Sequence, residues 1–154
     1  MSQNGTEDRL ALRELVEAYA MTADARDTDA FAALFALDAI LTIFDAAGAE
    51  LRRYVGRDEI AGIPARLGRY DRTMHHVTNH RVQLEDTSGD RATGESYCVA
   101  HHLQDASTVD HVLHIRYEDR YLRSPAGPDH GGWRFVHRDV RVQWIDDRPI
   151  SAPV

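Results

Sequence analysis

Over its second half the chain alternates between apolar and polar side chains in four long runs, 74–85, 92–104, 109–123 and 133–145. Clusters of Asp, Ser, Gly and Pro separate them, at 86–90, 105–107 and 124–132. Period-two alternation marks half-buried strands, and turn residues between long strands predict a strongly curved antiparallel meander. The first half reads differently. Leu12, Leu15, Val16, Tyr19 and Ala23 recur at helical spacing and predict a helix over 7–24, with Thr6 as its N-cap. Asp27 or Thr28 caps a second helix whose Phe31, Leu34 and Phe35 share a face. A strand over 39–44 turns at 45–48 and pairs back over 50–55. A third predicted helix opens at Gly56 and ends near Leu67-Gly68, with Pro64 inside it.

Helices first and an antiparallel sheet afterwards predict an α+β architecture, with three helices of the N-terminal half on the concave face of the sheet. Such a bent sheet is expected to leave a cone-shaped cavity as the site. With no repeat and no linker, residues 1–154 are expected to form a single domain with its core at about 7–145. The tail from 146 to 154 is expected to be irregular.

A chain of 154 residues is long enough to bury a core without disulfides or a structural metal. Its net charge of −7 argues against a nucleic-acid partner and against anionic membranes. No apolar run is long enough to span a bilayer, and the N-terminus lacks the basic and apolar regions of a secretory signal. Cys98 is the only cysteine, so no intramolecular disulfide can form, and the cytoplasm is the expected compartment. Nine histidines, in contrast, require a reason.

His75 and His76 sit at the start of the first long alternating run, where a half-buried sheet ordinarily carries valine or threonine. Neighbours on a strand point to opposite faces, so only one of them enters the cavity. Val82 and Leu84 share parity with His76, which favours His76 unless a bulge intervenes. On the next run Ala92, Gly94, Ser96, Cys98, Ala100 and His102 form a face of small residues, with Tyr97, Val99 and His101 opposite. His102, at the end of the small face, is a candidate site residue. Asp24, ending the first helix, is either a solvated helix end or a partner for one of these imidazoles. Arg138 shares the last run with Val136, Val140, Val142 and Trp144, and an arginine among apolar residues needs a carboxylate, carbonyl or substrate partner. No metal site is expected, because each His-His pair offers one inward ligand and no His-Glu-x-x-His or Cys-x-x-Cys pattern is present. No phosphate loop or dinucleotide fingerprint appears, so no cofactor is expected, and there is no nucleophilic serine elbow.

Four short motifs occur in a fixed order. Tyr19 and Asp24 stand five apart at a helix end. Asp-x-Phe-x-x-Leu-Phe runs from Asp29 to Phe35, and His-x-x-x-Asn from His75 to Asn79. Trp-Arg-Phe at Trp133 then precedes Arg138. Over about 7–144 the chain thereby resembles the SnoaL-like branch of the NTF2-like superfamily, within it the scytalone dehydratase, bile-acid dehydratase and hexachlorocyclohexane dehydrochlorinase group. The resemblance implies an NTF2-like cone and an aspartate–histidine dyad that removes a carbon-bound proton. It carries the histidine onto His75, overruling parity; a bulge near Asn79 would reconcile the two. It carries the aspartate onto Asp24, the bile-acid dehydratase tyrosine onto Tyr19, the second scytalone dehydratase histidine onto His102 and an ordering arginine onto Arg138. Leu41, Cys98, Leu113 and Tyr117 are expected to line the substrate pocket. Scytalone dehydratase has a tyrosine on the first strand, where this chain has Leu41 to Phe44, and the dehydrochlorinase has a lysine in place of Tyr19.

The expected function is a cofactor-independent dehydratase for a small hydrophobic, polyketide- or steroid-like molecule. A polyketide cyclase, a ketone isomerase and a non-catalytic binding or assembly domain are the alternatives. A homo-oligomer, dimer or trimer, is expected through the convex sheet face.

Overall fold

The computed structural model of the chain describes residues 3–85, 89–124 and 132–151. Residues 1–2, the predicted turns at 86–88 and 125–131, and residues 152–154 lie outside them. The helical half gives α1 (Gln3–Ala25) and α2 (Thr28–Ala33), then β1 (Phe35–Phe44) and β2 (Glu50–Val55). Two single-turn helices follow, α3 (Arg57–Ile60) and α4 (Ile63–Arg66), with a 3-10 turn at Leu67–Arg69. The alternating half forms β3 (Arg72–Leu84), β4 (Arg91–Gln104), β5 (Val109–Ser124) and β6 (Gly132–Pro149).

The six strands make one curved sheet in the order β2-β1-β6-β5-β4-β3. It is mixed, which corrects the expectation of an antiparallel sheet: β1 runs parallel to β6, while every other pair is antiparallel. Alternation sets which face a residue takes and says nothing about which strand pairs with which. Here the chain leaves β2, crosses to the far edge at β3, and meanders back until β6 lies beside β1.

Four boundaries differ from the sequence reading, each for a local reason. The first helix begins at Gln3, so Thr6 lies inside it and caps nothing. Phe35 leaves the second helix to begin β1, because Phe135 N–H of β6 donates to Leu34 O at 3.0 Å and Arg57 donates to Phe35 O at 2.8 Å. The predicted third helix is divided in two, with Pro64 at the start of α4, where its missing N–H costs nothing. The last strand continues to Pro149 through residues expected to be irregular, pairing with β5 down to Val109. Asp27 does cap α2, accepting from Ala30 N–H at 3.0 Å.

The stripe of Leu12, Leu15, Val16, Tyr19 and Ala23 on α1 is buried against the inner face of the sheet. There Tyr19 meets Phe31 at 4.9 Å and Tyr117 at 5.7 Å between ring centroids, and Phe35 meets Phe135 at 5.1 Å. Tilted and edge contacts of this kind favour a single packing arrangement over a loose one. Arg9 and Arg13 extend from α1 to the edge strand β3, donating to Val82 O at 2.5 Å and Thr78 O at 2.8 Å.

β3 carries the feature on which the site depends. Val77 pairs with Cys98 and His80 with Ser96, so three residues of β3 span what two span on β4. This bulge at Thr78-Asn79 reverses the side-chain phase. His75 and Val77 before it, and His80, Val82 and Leu84 after it, all share a face with the small residues of β4. His76 faces out, its ring 5.3 Å from that of His101.

Candidate active site

Strand register turns the inner face into a ladder of side chains. Arg138 and Asp119 share one row with Leu41 and Gly94. The next row holds Tyr117, Ser96 and His80, and the one after it Ile115, Cys98 and Val77. Then come Leu113, Ala100 and His75, and finally Asp147, His111, His102 and Thr73. The nine candidate residues spread along this ladder. Arg138, Tyr19, Tyr117 and Leu41 occupy one end, Asp24, His75, His102 and Leu113 the other, and Cys98 lies in the row between.

At the histidine end, Asp24 stands on the last turn of α1 and uses both carboxylate oxygens on β3. Oδ1 accepts from Thr73 Oγ1 at 2.7 Å and lies 2.7 Å from His75 Nδ1; Oδ2 accepts from the His75 backbone N–H at 2.8 Å. An ionised carboxylate is acceptor-only, so Nδ1 carries a proton, and in the neutral imidazole the lone pair is then on Nε2. Burial pushes Asp24 up, but the hydrogen bond and charge of His75, its backbone N–H and Thr73 outweigh it and hold the carboxyl below its ordinary value. The pair is sheltered, with His75 at 9% and Asp24 at 22% side-chain exposure.

Arg26 completes the support. It follows α1 with a φ of 60°, the left-handed conformation that ends helices, and its guanidinium turns back to Ala23 O at 2.9 Å and Leu67 O at 3.0 Å. It also donates to Thr73 Oγ1 at 2.7 Å, which fixes the Thr73 hydroxyl as donor to Asp24. Sequence reading assigned no site role to Arg26 or Thr73. A cation two residues past a helix-end carboxylate was the available signal.

His102 is buried, its ring edge-on to His75 at 5.4 Å and tilted against Tyr70 at 4.6 Å. Its Nδ1–H donates to His111 O at 3.2 Å, so its Nε2 is an acceptor. Burial first, then the charge of His75, push His102 down to about 4. Between pH 6.5 and that value the unfolded chain binds a proton that the folded chain refuses, so stability falls as pH falls through this window. The full difference is worth about 3 kcal/mol. Denaturant unfolding at pH 7.5 and 4.5 is expected to show this loss, and His102→Gln to remove most of it. An unchanged pH slope in that variant would contradict the assignment. His80, also pushed down by burial, acts in the same direction and is retained in both proteins.

At the other end Arg138 is fully buried and paired in fork geometry with Asp119, at 2.8 and 2.7 Å; Tyr121 O–H adds a bond to Asp119 at 2.9 Å. This answers what partner an arginine among apolar residues requires. Sequence reading did not find Asp119, although it lies in an alternating run. The guanidinium carbon sits 4.1 Å from the ring centroids of both Tyr19 and Tyr117. Nη1 makes no hydrogen bond among the described residues. Burial pushes the Tyr19 hydroxyl up to about 12 against the opposing pull of Arg138, and burial raises the Cys98 thiol to about 11. Both remain protonated at neutral pH. Of the other companions read beside Arg138, Val140 and Val142 are buried while Trp144 faces out, because a bulge at Gln143 changes the phase of β6.

Among the described residues no three His, Cys, Asp or Glu side chains are placed to hold a metal ion. No helix of the described residues is long and apolar enough to cross a membrane.

A curved six-stranded sheet with helices packed on its inner face defines the NTF2-like cone class. Within it, the chain belongs to the SnoaL-like domain family, which matches residues 5–139. A Novosphingobium aromaticivorans protein provisionally named a scytalone dehydratase superposes with a TM-score of 0.77 at 22% identity, covering 99% of this chain and 95% of that one. A hexachlorocyclohexane dehydrochlorinase from Novosphingobium barchaimii gives a TM-score of 0.76 at 19% identity, with 97% and 94% covered. An NTF2-like protein with a cystatin-like fold, also from Novosphingobium aromaticivorans, gives 0.66 at 25%, with 89% and 82% covered. No curated protein matches the chain. The likeness to the dehydratase- and dehydrochlorinase-named proteins, both below 25% identity, is one of fold.

Proposed function

We propose that this protein is a cofactor-independent lyase of the dehydratase kind, in which His75 removes a carbon-bound proton from a small hydrophobic, polyketide- or steroid-like molecule. One observation carries the reading: Asp24 binds both the ring and the backbone of His75, fixing its tautomer so that the Nε2 lone pair is the basic atom. When the imidazolium forms, Asp24 stabilises it. Leu113 in the His75 row, then Cys98 and Tyr117 in the rows leading to Arg138, supply apolar surface along the inner face. The protonated hydroxyl of Tyr19, with the Arg138 guanidinium against its ring, suits a substrate oxygen that gathers negative charge as the carbon acid ionises. Incubation with a metabolite extract, followed by mass spectrometry of consumed and formed compounds, tests the reading. Loss of one water from a retained compound supports it.

A second reading has its own support. His102 is neutral and presents an acceptor, so it does not donate to a leaving oxygen. Proton abstraction without loss of water, as in a ketone isomerase or polyketide cyclase, needs no such donor. A product of unchanged mass favours it.

Assembly belongs to the same proposal. The outer face exposes Tyr97 and Trp144, the latter stacked on His114 at 4.2 Å, around a depression of about 330 Å³. Exposed aromatic area on an open sheet favours a covering subunit. Light scattering at micromolar concentration is expected to give a dimer or trimer mass; a monomer mass would remove this part of the proposal.

A further inference from the structure

Each His-His pair of the sequence divides in the same way. His75 and His102 turn inward and meet across the site, while His76 and His101 turn outward and meet on the other side of the sheet. Across β3 and β4, His76 pairs with Val99 and Met74 pairs with His101, so Met74, His76 and His101 share one patch of the outer face. His76 and His101 are diagonal neighbours there, with ring centroids 5.3 Å apart and planes tilted by 53°. Met74 stands directly opposite His101 and is 58% exposed, so the core makes little use of it.

The patch has the parts of a ligand set. His101 Nδ1 lies 2.7 Å from Asp110 Oδ2 on β5, and Asp110 Oδ1 is buried with no hydrogen bond among the described residues. An ionised carboxylate only accepts, so Nδ1 carries a proton, and in the neutral ring the lone pair is on Nε2. A carboxylate behind an imidazole in this way orients metal-bound histidines. Two imidazoles that share one ion at about 2 Å from each nitrogen have ring centroids roughly 5–6 Å apart. The Cβ atoms of directly opposed strand residues are about 5 Å apart, which the flexible thioether of Met74 can span to join them. Two imidazoles and a thioether, with no thiolate or carboxylate among them, form a soft, uncharged set, and such a set selects copper(I).

We propose that Met74, His76 and His101 form a copper(I) site on the outer face of the sheet, with Asp110 holding His101 in place. One ring nitrogen of His76, Nε2 of His101 and Sδ of Met74 are the three ligands. Asp110 does not touch the ion. It is a positioning residue, which orients the His101 ring and makes its Nε2 a better donor. The site lies across the sheet from Asp24 and His75, and proton abstraction by His75 uses none of its residues. It therefore stands or falls apart from the lyase reading.

Transfer of copper(I) from the chromophoric chelator bicinchoninate to the full-length chain, without oxygen and with ascorbate present, tests the site. One copper(I) per chain is expected to move to the protein. His76→Ala and His101→Ala should each abolish the transfer. If His101→Ala does not unfold cooperatively, His76→Ala, at an exposed position of the edge strand, decides. Met74→Leu, close in size, should weaken the affinity about tenfold and leave the weaker binding of zinc by the two imidazoles unchanged. Asp110→Asn keeps an acceptor for the His101 Nδ1–H but removes its charge, and should weaken copper(I) about tenfold. Copper(I) is diamagnetic, so 15N spectra of histidine-labelled protein identify the ligands: the His76 and His101 ring nitrogens should move, while those of His75, His102 and His111 stay in place. In Asp110→Asn the same two rings should move, but only at higher copper. A chain that takes no copper(I) from the chelator, transfer retained in His76→Ala, or movement of the inner imidazoles instead overturns the site. Unchanged affinity in Met74→Leu, or zinc held as tightly as copper(I), overturns the thioether ligand and with it the choice of ion.

Discussion

His75→Ala lowers turnover by about a hundredfold or more, the usual contribution of a positioned general base, while the protein still unfolds cooperatively. Little of the fold depends on that imidazole. The backbone N–H of residue 75 continues to donate to Asp24, and Thr73 and Arg26 continue to hold the end of α1. Asp24→Asn separates orientation from chemistry. The amide has to present its oxygen to His75 Nδ1–H while its nitrogen faces the His75 backbone donor, so one of the present bonds is lost. Turnover falls and the ring becomes mobile, read as line broadening of the His75 side-chain resonances. His76→Ala changes little, since His76 faces out. Near-full turnover in His75→Ala would end the acid–base assignment.

Asp119→Asn destabilises the fold by about 3–5 kcal/mol, because it leaves the Arg138 guanidinium buried without a counter-charge. For a chain of this size that lowers Tm by roughly 10 °C or more. Arg138 and Asp119 both have side-chain exposures of 0%, so no water is at hand to compensate. The cost is that of an uncompensated charge rather than the intrinsic worth of the pair. Replacing both, as Asp119→Leu with Arg138→Met, is therefore expected to recover a large part of the lost stability. Thermal unfolding followed by circular dichroism compares the three proteins. A double variant no more stable than Asp119→Asn would show that the site depends on the fork geometry and not on charge balance.

Much of this architecture is legible in the amino-acid order, for identifiable reasons. The alternating runs from Met74 onward report facing, because one side of the sheet is buried, and their boundaries in the structure lie within a few residues of the periodicity. The stripe on α1 reports its face for the same reason. What the order does not carry is partnership across the chain. The parallel contact of β1 with β6 depends on a crossover that no local pattern encodes, and Phe35 looks helical until the carbonyl of Leu34 is given its β6 donor. At the site, parity selected His76 and the family spacing selected His75; the bulge puts His75 on the inner face. His111 and Asp147 escaped notice because they belong to one row only through the β5–β6 register, and Asp147 falls in a stretch that reads as an irregular tail.

That bulge divides β3 into two reading frames. Without the extra residue at Thr78-Asn79, one strand would have to choose between presenting His75 to the inner face and burying Val82 and Leu84; with it, both ends face inward. Chemistry at the front of the strand and packing at its back are thereby freed from a common phase, so each can be altered without turning the other outward. Arg13 fastens this point of division to α1 through the Thr78 carbonyl. The helix that brings Asp24 to the site thus also holds in place the change of frame that lets His75 meet it.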